Sequence, residues 1–192
     1  MGTVHSLSPS MSRARENSSE KWPDSEFKRV LLEHYPRILN VLLRLLGDTM
    51  RAEEVANDTF WRLYQQTGVR SDNIGGWLYR TATNLGIDAL RSSARRVRYE
   101  NAAIIESGKS NGVNSGPLDQ LMVEEKRARV RSALASIRPA QAQLLILRAS
   151  GLSYKELGEV LGIKPSGVGT LLNRAQTEFR ARYLQLHGKE EL

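Results

Sequence analysis

Leu147-Arg148-Ala149-Ser150-Gly151-Leu152-Ser153-Tyr154-Lys155-Glu156-Leu157, continuing through Val160-Leu161-Gly162-Ile163-Lys164-Pro165 to Asn173-Arg174-Ala175, is the stretch whose reading decides the fold. Ser153 followed three residues later by Glu156 is a capping box, so a short helix opens there and runs to about Val160. Leu161-Gly162-Ile163 forms a tight turn, and Pro165 restarts a helix, since proline suits the first helical position. Val168, Leu171, Leu172, Ala175 and Phe179 recur at helical spacing and are expected to point inward. Helix, glycine-containing turn and second helix make a helix-turn-helix. In such a motif the second helix is expected to enter a DNA major groove with the residues near its N-terminus.

Working upstream, Pro139 suits the first position of a helix that ends at Ser150-Gly151. Leu134, Ile137, Leu144, Leu145, Leu147 and Leu152 supply the core of this second module, residues 122–186. Before it, residues 99–121 hold Gly108, Gly112, Gly116, Pro117 and several Ser and Asn, with few large apolar residues. Such a stretch buries too little surface to order itself and reads as a flexible linker. The first module, residues 22–98, begins with Phe27, Leu31, Tyr35, Ile38, Leu42, Leu45 and Leu46 at helical spacing. Pro36 falls inside this run and is expected to kink or split it. Gly47 ends the run, and Asp48 or Thr49 can cap the next helix. That helix buries Val55, Ala56, Thr59, Phe60 and Leu63. Its other face carries Glu53, Glu54, Asn57, Asp58 and Trp61. A large aromatic beside carboxylates fits a protein interface anchor. It also fits an indole packed on a neighbouring helix beside solvated acids.

A turn at residues 68–73 precedes a third helix, with Trp77, Leu78, Thr81, Leu85 and Leu90 on its expected buried side. It ends in Arg91, Arg95, Arg96 and Arg98, of which 91, 95 and 98 share a face. Arginines so spaced can neutralise successive phosphates. With Trp77 and Tyr79 upstream they suit unstacked single-stranded bases. Alternatively, cations at a helix C-terminus are favoured by its dipole, which accounts for one or two arginines better than four.

Composition sets the limits. The 192 residues carry 28 Lys+Arg against 21 Asp+Glu, a formal net charge of +7. Residues 21–96 hold 12 basic against 9 acidic groups and residues 120–192 hold 12 against 7. The surplus therefore sits in two blocks joined by a near-neutral segment, which suggests two nucleic-acid-facing modules on one tether. With no cysteine and three scattered histidines, disulfides, thiolate sites and a His-rich metal centre are excluded. No cofactor and no metal ligand set is expected. Residues 1–21 lack the apolar core of a secretory signal and read as a disordered tail, and 187–192 as a short polar one. No stretch approaches the ~18 apolar residues of a membrane span, so a soluble cytoplasmic protein without membrane insertion is expected.

Three ordered stretches carry a family resemblance: Ala52-Glu53-Glu54-Val55-Ala56-Asn57-Asp58-Thr59-Phe60, Trp77-Leu78-Tyr79-Arg80 through Asn84-Leu85-Gly86-Ile87-Asp88-Ala89-Leu90-Arg91, and the helix-turn-helix. With them the chain resembles bacterial RNA polymerase sigma factors of the extracytoplasmic-function (ECF) group. The resemblance implies an all-α fold of two small helical domains, region two and region four, joined by a flexible linker. Region two would bind the β′ clamp helices of core polymerase and help melt the minus-ten promoter element. Region four would read the minus-thirty-five element and touch the β flap. By position, Glu54, Asn57, Asp58 and Trp61 become candidates for polymerase contact. Arg80, Asn84, Arg91, Arg95 and Arg96 fall where the family faces melted promoter DNA. Lys155, Lys164, Ser166, Gly167, Thr170, Asn173 and Arg174 fall at the duplex-reading helix-turn-helix. Thr83 stands where a basic residue is frequent. No catalytic residue is implied, and because members are commonly held inactive by an anti-sigma factor, such a partner is expected. Two other classes fit parts of the pattern: a stand-alone helix-turn-helix regulator, and a nuclease using Glu53, Glu54 and Asp58. The first leaves the acidic Trp61 face and the arginines without a shared purpose. The second lacks a histidine or a further carboxylate motif.

Overall fold

The computed structural model describes residues 22–66, 73–107 and 118–188. The expected N-terminal tail, the turn at 68–72, the glycine-rich centre of the linker and the last four residues lie outside them. Seven helices follow in order among the described residues: α1 Asp24–Leu46, α2 Thr49–Gln65, α3 Ile74–Ser107, α4 Leu118–Ser136, α5 Pro139–Ala149, α6 Tyr154–Leu161 and α7 Pro165–His187.

Of the two outcomes expected at Pro36, the split does not occur: helix α1 runs through it. The reason is local. Pro36 is exposed, and the carbonyl deprived of its N–H belongs to Leu32, itself 69% exposed, so water can satisfy it. The buried stripe Val30, Ile38, Val41, Leu42, Leu45 and Leu46 spans both sides of the proline and holds the helix together. Helix α2 starts at Asp48, whose carboxylate accepts the Arg51 N–H at 3.1 Å, and buries Val55, Ala56, Thr59, Phe60 and Leu63 as expected. At the start of α3 the Asn73 side chain accepts the Gly76 N–H at 2.7 Å.

Two expectations about α3 change. It runs to Ser107, nine residues into the stretch read as linker, so Arg91–Arg98 lie well inside the helix. A dipole that acts only over the last turn therefore does not account for them. Its buried side is also rotated: Leu78, Ala82, Thr83, Ile87 and Leu90 are buried, whereas Trp77, Thr81 and Leu85 are half-buried.

The second half follows its local signals closely. Pro139 occupies the first turn of α5 and Pro165 that of α7. Both hydrogen bonds of the Ser153–Glu156 capping box form. Gly162 ends α6 at φ 68°, a left-handed conformation natural to glycine. The turn closes so tightly that a Cβ on Gly158 would lie 2.7 Å from the Ile163 carbonyl oxygen. Leu144, Leu147, Leu152, Leu157, Val160, Val168 and Leu172 form the core of this half. Leu171 points outward instead of inward, at 36% exposure, because Val168 and Leu172 take the buried stripe. Tyr183, not singled out in the sequence, is buried against Phe179 and His187.

The two halves are docked rather than held apart on a tether. Ile137, Ala142 and Ile146 of the second half belong to the hydrophobic core of the first, beside Leu42, Leu45, Ile87 and Leu90. Burying Ile137 and Ile146 is worth roughly 1.5–3 kcal/mol each. The contact is thus an extension of a core, a stronger junction than a polar domain interface.

Candidate nucleic-acid and protein interfaces

Three surfaces carry the sequence-expected site residues. The first is the outer face of α2. Glu54, Asn57 and Trp61 are exposed and Asp58 is half-buried. Trp61 is 56% exposed and stacks on Tyr64 with ring centroids 5.9 Å apart. Asp58 pairs with Arg62 at 3.2 Å, one turn on, and the Asn57 amide oxygen accepts the Tyr35 hydroxyl at 3.3 Å. Neighbouring side chains thus engage Asn57, Asp58 and the indole, and the indole keeps more than half its surface in water. An amphipathic ring so presented suits a protein partner. Of the two readings left open by the sequence, the packing one accounts for the stack on Tyr64 but leaves the exposed part of the ring unexplained.

The second surface is the N-terminal half of α7 with the start of α6. Lys155, Lys164, Ser166, Thr170, Asn173 and Arg174 are all exposed, and Gly167 is half-buried among them. They lie together on the recognition-helix side, opposite the buried Val168, Leu172 and Ala175. Their positive charge, hydroxyls and amide suit phosphates and base edges. At the entrance, Glu156 is held below the usual carboxylate range because the Ser153 side chain and backbone donate hydrogen bonds to it. Arg148 lies over the Tyr154 ring, 5.4 Å from its centre.

The third surface, on α3, is built differently. Arg80, Asn84, Arg95 and Arg96 are exposed and Arg91 is half-buried. Arg80 and Arg91 are engaged by the second half of the chain. Arg80 Nε donates to the Val160 carbonyl at 2.5 Å, and Arg91 donates to the Ile137 carbonyl at the same distance. From α1, Arg44 likewise reaches the Ala149 carbonyl at 3.3 Å. All three acceptors stand at helix C-termini, of α6, α4 and α5 in turn, where carbonyls lack an intrahelical partner and the dipole is negative. Between Arg80 and Arg91, Thr83 and Gln143 are buried together. The Gln143 amide donates to the Thr83 hydroxyl at 2.7 Å and the Arg80 carbonyl at 3.1 Å. Thr83 in turn donates to the Tyr79 carbonyl at 2.6 Å. In the sequence Thr83 is marked only by standing where a basic residue is frequent. No periodicity signals a polar contact between residues 60 positions apart. Tyr79, packed against both cores, has its hydroxyl pKa raised by burial, with Arg37 opposing and Glu156 adding to the shift.

A cleft of about 1300 Å³ runs beside this seam, lined by Arg51, Arg91, Arg95, Arg96, Arg98 and Arg131. Among the described residues there is no group of three or more His, Asp and Glu placed to hold a metal ion, and no helix long and apolar enough to cross a membrane.

Comparison with known proteins gives concordant matches. The family Sigma-70 region 2 matches residues 30–96, and Sigma-70, region 4 matches residues 127–176. The RNA polymerase sigma factor YlaC of Bacillus subtilis is 30% identical over 169 residues, 83% of this chain and 93% of YlaC. The ECF RNA polymerase sigma factor SigE of Mycolicibacterium smegmatis is 29% identical over 161 residues, 82% of this chain but 61% of SigE. Among solved structures, CnrH, determined in complex with the cytosolic domain of CnrY, covers 86% of this chain with a TM-score of 0.53 at 18% identity. That likeness concerns the fold.

Proposed function

This chain belongs to the sigma-70 family of RNA polymerase sigma factors, in its ECF group, and from that premise we propose that it binds core polymerase in the cytoplasm and directs initiation at promoters it selects. The observation that carries the reading is that one chain presents two surfaces of different chemistry. One is an acidic face with an anchored, exposed Trp61. The other is an open recognition helix bearing Lys164, Ser166, Thr170, Asn173 and Arg174.

Residues 22–98 serve as region two and 122–186 as region four, with 99–121 connecting them. Glu54, Asn57, Asp58 and Trp61 dock on the β′ clamp helices. Arg80, Asn84, Arg91, Arg95 and Arg96 hold the melted minus-ten strand through its phosphates. Lys155 at the α6 entrance, and Lys164, Ser166, Gly167, Thr170, Asn173 and Arg174 on α7, meet the minus-thirty-five duplex in the major groove, close to the β flap. The protein supplies recognition and strand capture, and the bond-making chemistry stays with the polymerase. The net charge of +7 is modest because the acids of α2 offset the arginines, so the isolated chain binds duplex DNA weakly. Control falls to a separate anti-sigma partner that covers these surfaces. Recovery of core polymerase subunits alone from native cells would count against that partner.

Reconstitution tests the proposal. Purified chain added to core polymerase is expected to start transcripts at defined positions on genomic DNA. Tight sequence-specific binding by the chain alone, with no effect on core polymerase, overturns it.

A further inference from the structure

Gly167, in the first turn of the recognition helix, is a glycine that the fold does not require. It lies within α7 and is not among the glycines with positive φ. Beyond its chain neighbours, Ile163 supplies the one side chain among the described residues within 4 Å of the place a Gly167 Cβ would take. Its Cγ2 would stand 3.9 Å away, an ordinary contact. Alanine would therefore fit, and it would favour the helix. Gly158 differs, since the Ile163 carbonyl occupies its space, and at Gly169 the Tyr154 ring closes in to 3.5 Å. What glycine leaves at 167 is an open notch over bare backbone.

The walls of that notch are apolar. Ile163, packed on the core of the second half, borders it on one side. Leu171, one helical turn after Gly167, borders it on the other. Side chains on a helix lean toward its N-terminus, so Leu171 leans over the turn that Gly167 leaves bare. Leu171 is exposed and stands outside both hydrophobic cores, because Val168 and Leu172 already fill the inward stripe. Two exposed cations flank the notch, Lys164 before it and Arg174 after it. They suit the phosphates that set the depth and register of a helix on duplex DNA. Among the base edges of the major groove, the C5-methyl group of thymine is the apolar feature. A bare floor, two apolar walls and flanking positive charge match that group.

We propose that Ile163, Gly167 and Leu171 form a thymine-reading notch. The C5-methyl group of one thymine enters the space left by the missing Gly167 Cβ and packs between the Ile163 and Leu171 side chains. The notch rests on the function proposed above for the placing of α7 in a major groove, and it names one chemical feature that the groove must offer there. Leu171 thereby becomes a specificity-determining residue although it carries no hydrogen-bonding group.

Duplexes with a randomised segment are enriched twice, once by the chain alone at low salt and once by the chain with core polymerase. In each enriched sequence every thymine is replaced in turn by deoxyuridine, which removes the methyl group and keeps the pairing edge. One replacement is expected to weaken binding about fourfold, the affinity that burying one methyl-sized group is worth. At that position 5-methylcytosine, which carries the same group at C5, is expected to bind better than cytosine by the same factor. In Leu171→Ala, which removes a wall, and in Gly167→Ala, which fills the notch, both ratios are expected to fall to near unity. Each ratio is taken within one variant, so a general change in stability or affinity does not move it. The proposal is overturned if no thymine responds to loss of its methyl group, or if the responding thymine keeps its full sensitivity in either variant. Enrichment by the chain alone but not with core polymerase overturns the promoter reading, while the same ratios still decide the notch. No enrichment in either format overturns both.

Discussion

The two faces with DNA-type chemistry differ in what covers them. On α7, Lys164, Ser166, Thr170, Asn173 and Arg174 stand in solvent, and the helix is shaped by signals within a few residues of it. On α3, Arg80 and Arg91 are tied to distant carbonyls, and Thr83 is buried under Gln143. The first surface stands open, whereas the second is partly engaged by the chain's own second half, with Asn84, Arg95 and Arg96 left exposed. The charge pattern alone suggested two equivalent basic blocks. The structure makes them unequal.

That inequality can be broken from either side. The largest effect is expected from Leu157→Ala, in the core whose buried residues all come from the second half. Losing that fully buried side chain costs about 2–5 kcal/mol. It should unfold α5–α7 while α1–α3 retain their amide protection, as hydrogen exchange would read out. Loss of protection throughout would mean the halves fold only as one unit. Next is Ile146→Asp, which places a carboxylate in the seam but outside the second half's own core. It should enlarge the hydrodynamic radius while leaving helical content unchanged, since a buried charge without a partner is strongly disfavoured. An unchanged radius would show that the apolar contact does not hold the halves together.

Smaller effects distinguish glycines within the open half. Gly158→Ala drives a methyl group to 2.7 Å from the Ile163 carbonyl, an overpacking that costs about 1–3 kcal/mol. The Ala variants of Gly167 and Gly169 meet only ordinary contacts, at 3.9 and 3.5 Å. Each should gain roughly 0.5–1 kcal/mol in thermal or denaturant unfolding. If Gly167 serves a close approach of backbone to DNA, its Ala variant gains stability and loses duplex affinity together. The smallest effect concerns Glu156, whose carboxyl pKa is lowered by the hydrogen bonds from Ser153. The cap's contribution is therefore present above the ordinary Glu pKa of about 4.3 and is lost as pH falls through the lowered folded value. A Glu156→Ala variant should lose a little stability at neutral pH and show a shallower acid dependence in that window.

The helix-turn-helix was legible in the sequence because its determinants are local: Ser153 and Glu156 lie three residues apart, and Gly162 and Pro165 mark the turn and restart. The exposed α2 face was legible for the same reason, from one stripe of apolar residues and its complement. The α3 surface was half legible. Its arginines and their shared face could be read, but their partners lie 46 and 80 residues away, beyond any periodic signal. Leu171 was misplaced because two adjacent apolar residues compete for one stripe. Pro36 does not split α1, and the sequence does not show that the carbonyl it orphans belongs to an exposed residue. The extent of α3 was underestimated because the residues past Arg98 are mostly polar, and composition there outweighed helix propensity.

The most direct test of unequal faces uses one pair of dyes, placed at Asn40→Cys and Glu159→Cys on the otherwise cysteine-free chain. Distance is measured by energy transfer in the free protein and again after addition of core polymerase and promoter DNA. A short distance is expected in the free chain and a long one in the initiating complex. A distance that stays short in a complex actively starting transcripts would contradict it, because Arg80 and Arg91 would then still be held by the chain's own helix ends.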